Sequence, residues 1–123
     1  MVNPTMVLSH GFDGTCYRIR TTSFDVGYII GDGEDPEQVA NVDVEVRLPD
    51  GSRWSATMFT VAELERLMER WAQTGECGSG SYFWCSDGVI VRKPGVSFMT
   101  EVLIGLHDDE DNLTGVLKPL GNE

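Results

Sequence analysis

The alternation of Val42, Val44, Val46 and Leu48 with Asp43, Glu45 and Arg47 constrains this chain more than any other stretch. Side chains on an extended strand project to opposite faces with a period of two. This run therefore puts its apolar residues on one face and its charged ones on the other. Such a strand needs a core on one side and tolerates water on the other, as antiparallel sheets do. Pro49-Asp50-Gly51-Ser52 is a turn signal, and Arg53 to Phe59 returns with Trp54, Ala56 and Met58 on one side, which predicts an antiparallel hairpin. Thr60 and Glu63 then make a capping box, so a helix should begin at Val61. Val61, Leu64, Leu67, Met68 and Trp71 form its apolar stripe, and Gly75 is placed to end it in a left-handed conformation.

The remaining elements follow from similar signals. Met6–His10 and Thr15–Arg20 read as strands around a turn at Gly11 to Gly14, and Phe24 to Ile30 as a third strand. A flexible acidic loop is expected over about 31–41, starting at Gly31-Asp32-Gly33-Glu34-Asp35. Tyr82–Cys85 and Val89–Val91 are β-prone runs joined through Ser86-Asp87-Gly88, which predicts a second hairpin. Ser97 or Thr100 should open a second helix running to about His107, and Leu113 to Leu117 should form a last strand. Strands clustered ahead of each helix imply an α+β fold. We expect one globular domain over residues 1–123, with an antiparallel sheet of about five to seven strands and two helices packed on one face.

Chain length supports that expectation, since 123 residues make one ordinary domain. With 20 acidic and 9 basic side chains the formal charge is −11, which disfavours nucleic acid or an anionic membrane as partner. No apolar stretch approaches the roughly 18 residues a membrane span requires, and the N-terminus shows no cleavable leader. Cys16, Cys77 and Cys85 are an odd, widely spaced set, which fits reduced thiols in the cytoplasm better than disulfides or zinc.

The residues that could carry chemistry form no catalytic pattern. Gly27, Gly31 and Gly33 run into Glu34, Asp35, Pro36 and Glu37, a wall of carboxylates where a phosphate loop needs free backbone donors. Gly78 and Gly80 precede a β-prone run, the reverse of dinucleotide-binding order. Counted from Asp108, the acidic run Asp108-Asp109-Glu110-Asp111-Asn112 has Leu113 where a calcium loop needs glycine and Pro119 where it needs glutamate. His10 and His107 lie in no nucleophile motif, and a G-x-S-x-G elbow is missing. We expect no enzyme activity, no cofactor and no metal.

Binding is the better fit. Tyr82 and Trp84 should share one strand face, where two large aromatics left exposed would anchor a protein partner. The acidity is regional: residues 25–50 carry eight acids and one base, and residues 101–123 carry six acids and one base. Brought together in space, Asp32, Glu34 and Asp35 with Asp108, Asp109 and Asp111 would form a negative face suited to a basic protein.

The stretches Asp43–Leu48, Pro49-Asp50-Gly51, Trp54, Thr57, Glu63–Trp71, Thr74-Gly75-Glu76 and Tyr82-Phe83-Trp84-Cys85-Ser86-Asp87 resemble small acidic actinomycete proteins that mostly lack an assigned role. In size, acidity and strand–helix–hairpin order the chain also resembles immunity proteins of bacterial polymorphic toxin systems. That resemblance implies a cytoplasmic protein that neutralises a toxin by occluding its basic surface, with the carboxylates standing in for an anionic substrate. A regulatory or scaffolding module with another partner is the alternative role, and a small enzyme or ligand carrier the third.

Overall fold

The computed structural model describes residues 4–31 and 33–121. Strands β1 (Val7–Asp13), β2 (Cys16–Thr21), β3 (Asp25–Ile29), β4 (Asn41–Arg47) and β5 (Arg53–Thr60) run antiparallel in sequence order, each paired to the next. Helix α1 (Val61–Thr74) and the one-turn α2 (Glu76–Gly80) lead to β6 (Gly88–Val91), which pairs parallel with β5. Helix α3 (Val96–Asp108), the short α4 (Leu113–Val116) and β7 (Lys118–Gly121) follow. The class is the expected α+β, with a seven-stranded, mostly antiparallel sheet. It is mixed because a parallel pair needs a crossover, and α1 supplies it between β5 and β6.

The hairpin β4–β5 has the register that alternation predicts: Val42 faces Met58, Val44 faces Ala56 and Val46 faces Trp54. These side chains enter the main core with Val26, Tyr28 and, from α3, Val96, Met99 and Leu103. Tyr28 is fully buried, and its hydroxyl shares a 2.8 Å hydrogen bond with Thr100 of α3. Burial pushes that phenol well above its ordinary range. Thr60 caps α1 by accepting from the Glu63 N–H at 3.1 Å, and Gly75 ends the helix at φ 90°.

The two long helices cover different things. Met58 joins the main core under α3, whereas its neighbour Phe59 projects to the other side and packs with Leu64 and Leu67 of α1. Helix α1 thus has its own small core instead of sharing one face with α3.

Several boundaries differ from expectation. β1 continues through Gly11 to Asp13, because the reversal is made at Gly14 (φ 67°) and Thr15. The loop after β3 contains a 3₁₀ turn, Pro36–Gln38, capped by Asp35 through the Glu37 N–H at 3.0 Å. Tyr82–Cys85 is not a strand, so the second hairpin does not form; β6 finds its partner in β5. Leu113–Val116 is helical, with Leu113 buried, and the final strand starts at Lys118. β7 takes Arg53–Ser55 of β5 while β6 takes Thr57–Thr60, so both share the edge that β4 leaves free.

Candidate functional site

The acidic segments do not meet. At the start of α3, the Ser97 N–H and hydroxyl donate to Glu37 at 3.2 and 3.0 Å, and the Gly95 N–H donates to the Val39 carbonyl. At its end, Asp108 holds Thr5. The loop with Glu34 and Asp35 and the run Asp108–Asp111 therefore sit at opposite ends of a 13-residue helix, about 20 Å apart. The single negative face expected from composition is not built. Asp32 lies outside the described residues.

Asp108 is also occupied. It accepts from the Thr5 hydroxyl (2.6 Å), the Thr5 N–H (2.7 Å) and His107 Nδ1 (2.7 Å). The Thr5 hydroxyl, then His107, then the Thr5 amide hold its carboxyl down at about 2. It ties the N-terminal segment to α3 and is not free to meet a partner. Asp109 caps α3 through its N–H to the Gly105 carbonyl, and Asp111 adopts a left-handed φ of 47° just beyond. Glu34, Asp35, Asp109 and Asp111 are exposed, and none forms an ion pair with a described residue. The paired arginines are taken by other acids: Arg18 by Asp13, Arg20 by Asp25, Arg53 by Glu45 and Arg66 by Glu63.

An open depression of about 530 Å³ near the end of α3 is lined by Ser23, Asp50, His107 and Asp111, among others. Three of its polar groups are turned to local work. Ser23 bonds Thr5, Asp50 accepts from Ser52, and His107 donates to Asp108. No nucleophile stands against a base there.

The aromatic residues are arranged for contact. Phe83 is clamped between Phe59, edge-on at 4.9 Å, and Trp71, stacked at 5.9 Å and 4°. Cys85 also packs into this small core, and its thiol donates to Asp87 at 3.2 Å. Burial, then that bond, raises the thiol above its usual value, so it stays protonated and a poor nucleophile. With Phe83 and Cys85 turned inward, Tyr82 and Trp84 point out and are 55% and 76% exposed. The in–out alternation anticipated for a strand is realised by a loop.

Local backbone locks this loop to α1. In α2, Cys77, Gly78 and Ser79 wind left-handed at φ 48°, 61° and 59°, a conformation that costs non-glycine residues about 1–2 kcal/mol each. A Cβ on Gly80 (φ 81°) would overlap the Met68 carbonyl oxygen and crowd the Ala72 nitrogen. Only glycine lets the turn lie against α1. A Cβ on Gly78 would press the Tyr82 ring at 3.2 Å, which places that ring over the turn.

Carboxylates flank the loop. The Asp87 carbonyl accepts from the Thr57 N–H, and the Thr57 hydroxyl donates to Asp43 directly across the β4–β5 pair. Neither Asp43 nor Asp87 is paired with a described base. The site is therefore a loop that exposes two aromatics, fixed through Phe83, with two acids that no described base neutralises joined through Thr57 at its base. Sequence reasoning singled out Tyr82 and Trp84 but missed Asp43 and Asp87, which separate stretches of chain bring together through Thr57.

Comparison with family models, curated proteins and solved structures finds no match for the chain. Within the described residues, no helix is long and apolar enough to cross a membrane.

Proposed function

We propose that this chain is a non-enzymatic protein-binding domain of the immunity type, which neutralises a basic toxin domain by covering its charged surface. The observation that carries the reading is the clamped loop 81–87, which holds Tyr82 and Trp84 in solvent, with Asp43 and Asp87 joined through Thr57 at its base. Binding costs ordering entropy, and a loop already fixed by Phe83 has less left to lose. Exposed Trp and Tyr on a loop with carboxylates at its base suit arginine and lysine side chains, which stack on the rings and pair with the acids. The carboxylates at the two ends of α3 add long-range attraction and not direct contact, so they set the rate of encounter.

Affinity capture from the native cell tests this, with the intact chain and Trp84→Ala in parallel, followed by titration of the captured protein at two salt concentrations. The expected catch is a basic toxin domain. Its affinity should fall about 30-fold or more with Trp84→Ala, and its association rate should drop as salt rises. Recovery of nothing but housekeeping enzymes, or binding indifferent to both Trp84→Ala and salt, refutes the reading.

A further inference from the structure

The edge strand β1 presents a surface that the aromatic loop does not use. It ends the sheet, and among the described residues it pairs only with β2. Met6 and Leu8 are 62% exposed, Val7 48% and Phe12 55%. Native edges are commonly blunted by lysine, proline or inward-pointing charge. Between Val7 and Asp13 there is no lysine, arginine or proline, and Asp13 is matched by Arg18 at 3.1 Å. A bulge between Val7 and Ser9 is the one edge-twisting device present. Beneath the strand, a groove of about 330 Å³ opens between β1–β2 and α3, walled by Val7, Tyr17, Ile19, Val96 and Ile104 and carrying two acids, Glu37 and Glu101.

We propose that a second copy of this chain docks here, β1 against β1, antiparallel across a two-fold axis. Three features select that occupant. Pairing centred on His10 brings Phe12 of each copy to the bulged Val7–Leu8 segment of the other, so the exposed apolar side chains meet each other twice. Charge points the same way: in a chain of net charge −11, the strand Val7–Asp13 carries no unmatched charge, so strand-to-strand contact, clear of Glu37 and Glu101 in the groove, is where two like-charged copies can approach. A basic partner would instead be drawn to the unpaired carboxylates. Area is the third feature. The four side chains offer roughly 400 Å² per copy, so two copies bring roughly 800 Å² of side chain, to which the paired strand backbones add, toward the about 1,000 Å² that a specific interface needs.

The proposal is independent of the aromatic loop, and sedimentation equilibrium on the intact protein tests it. The expected mass is twice 13.6 kDa. Association should strengthen severalfold between about 50 and 500 mM NaCl, because salt screens the mutual repulsion. Binding of a basic partner would show the opposite salt dependence. Leu8→Lys and Phe12→Lys should each raise the dimer dissociation constant about tenfold or more, while Trp84→Ala leaves it unchanged. Circular dichroism confirms that the lysine variants remain folded, and concentration-dependent protection of β1 amides in the unaltered chain gives a readout that needs no variant. A chain that stays monomeric in high salt, a dimer indifferent to both lysine substitutions, or open-ended assembly overturns the proposal.

Discussion

Replacing Phe83 with alanine should release the loop that carries Tyr82 and Trp84 while leaving the main core intact. Phe83 belongs to the small core with Phe59, Leu64 and Leu67, separate from the cluster beneath α3. Full burial of a Phe side chain is worth about 1.5–3 kcal/mol, and Phe83 is half-buried, which leaves about 0.8–1.5 kcal/mol. The edge-on contact with Phe59 and the stack on Trp71 add about 0.5 kcal/mol each at the low end appropriate to a partly wet site. The sum is about 1.8–2.5 kcal/mol, or roughly a 20- to 70-fold loss of protection for loop amides. Hydrogen exchange read by mass spectrometry on a peptide spanning residues 76–87 measures it directly. Phe83→Leu, which keeps apolar volume and loses the ring contacts, should fall about halfway. Exchange changed less than threefold over that peptide, or changed equally across β3 and β4, would refute the claim that Phe83 clamps the loop locally.

Other expectations are as concrete. Gly80→Ala should destabilise the protein by about 2–4 kcal/mol in urea unfolding, because the new methyl meets α1 backbone at a left-handed φ. Asp111→Gly should stabilise by about 1 kcal/mol in the same assay, relieving a left-handed non-glycine residue and removing a negative charge from the C-terminal end of α3. The Asp108 carboxyl lies lower in the folded protein than its ordinary 3.8, so its contribution is present above about pH 4 and is lost as pH falls through about 2. The Thr5 amide resonance should report that midpoint, and Asp108→Asn should abolish the titration; a midpoint near 4 would show that the clamp is not formed.

How far the sequence reaches depends on whether a feature is local. The hairpin β4–β5 and the capping of α1 follow from neighbouring residues, because alternation, Pro49-Asp50-Gly51-Ser52 and Thr60 with Glu63 each specify backbone within a few positions. Tyr82–Cys85 misleads because alternating exposure is a property of side chains. A loop clamped by Phe83 produces it as well as a strand does. Leu113–Val116 likewise has β-prone composition, but burial of Leu113 in the main core decides its conformation. The separation of the acidic runs was illegible for another reason: carboxylates carry no periodicity, and only the course of α3 from Glu37 to Thr5 reveals that they stand at its two ends. The pairing of β5 with β6 joins residues some thirty positions apart, beyond any local rule.

The divided edge of β5 has a consequence for the newborn chain. A ribosome releases the hairpin and α1 well before it has made Lys118–Gly121, so the flank at Arg53–Ser55 emerges bare and waits for the last strand to be synthesised. During that interval the nascent protein is a template with one unfilled lane, open to capture by chaperones or by strands of neighbouring polysomes. Slow translation between β5 and β7 would lengthen the exposure even though the finished pairing is unchanged.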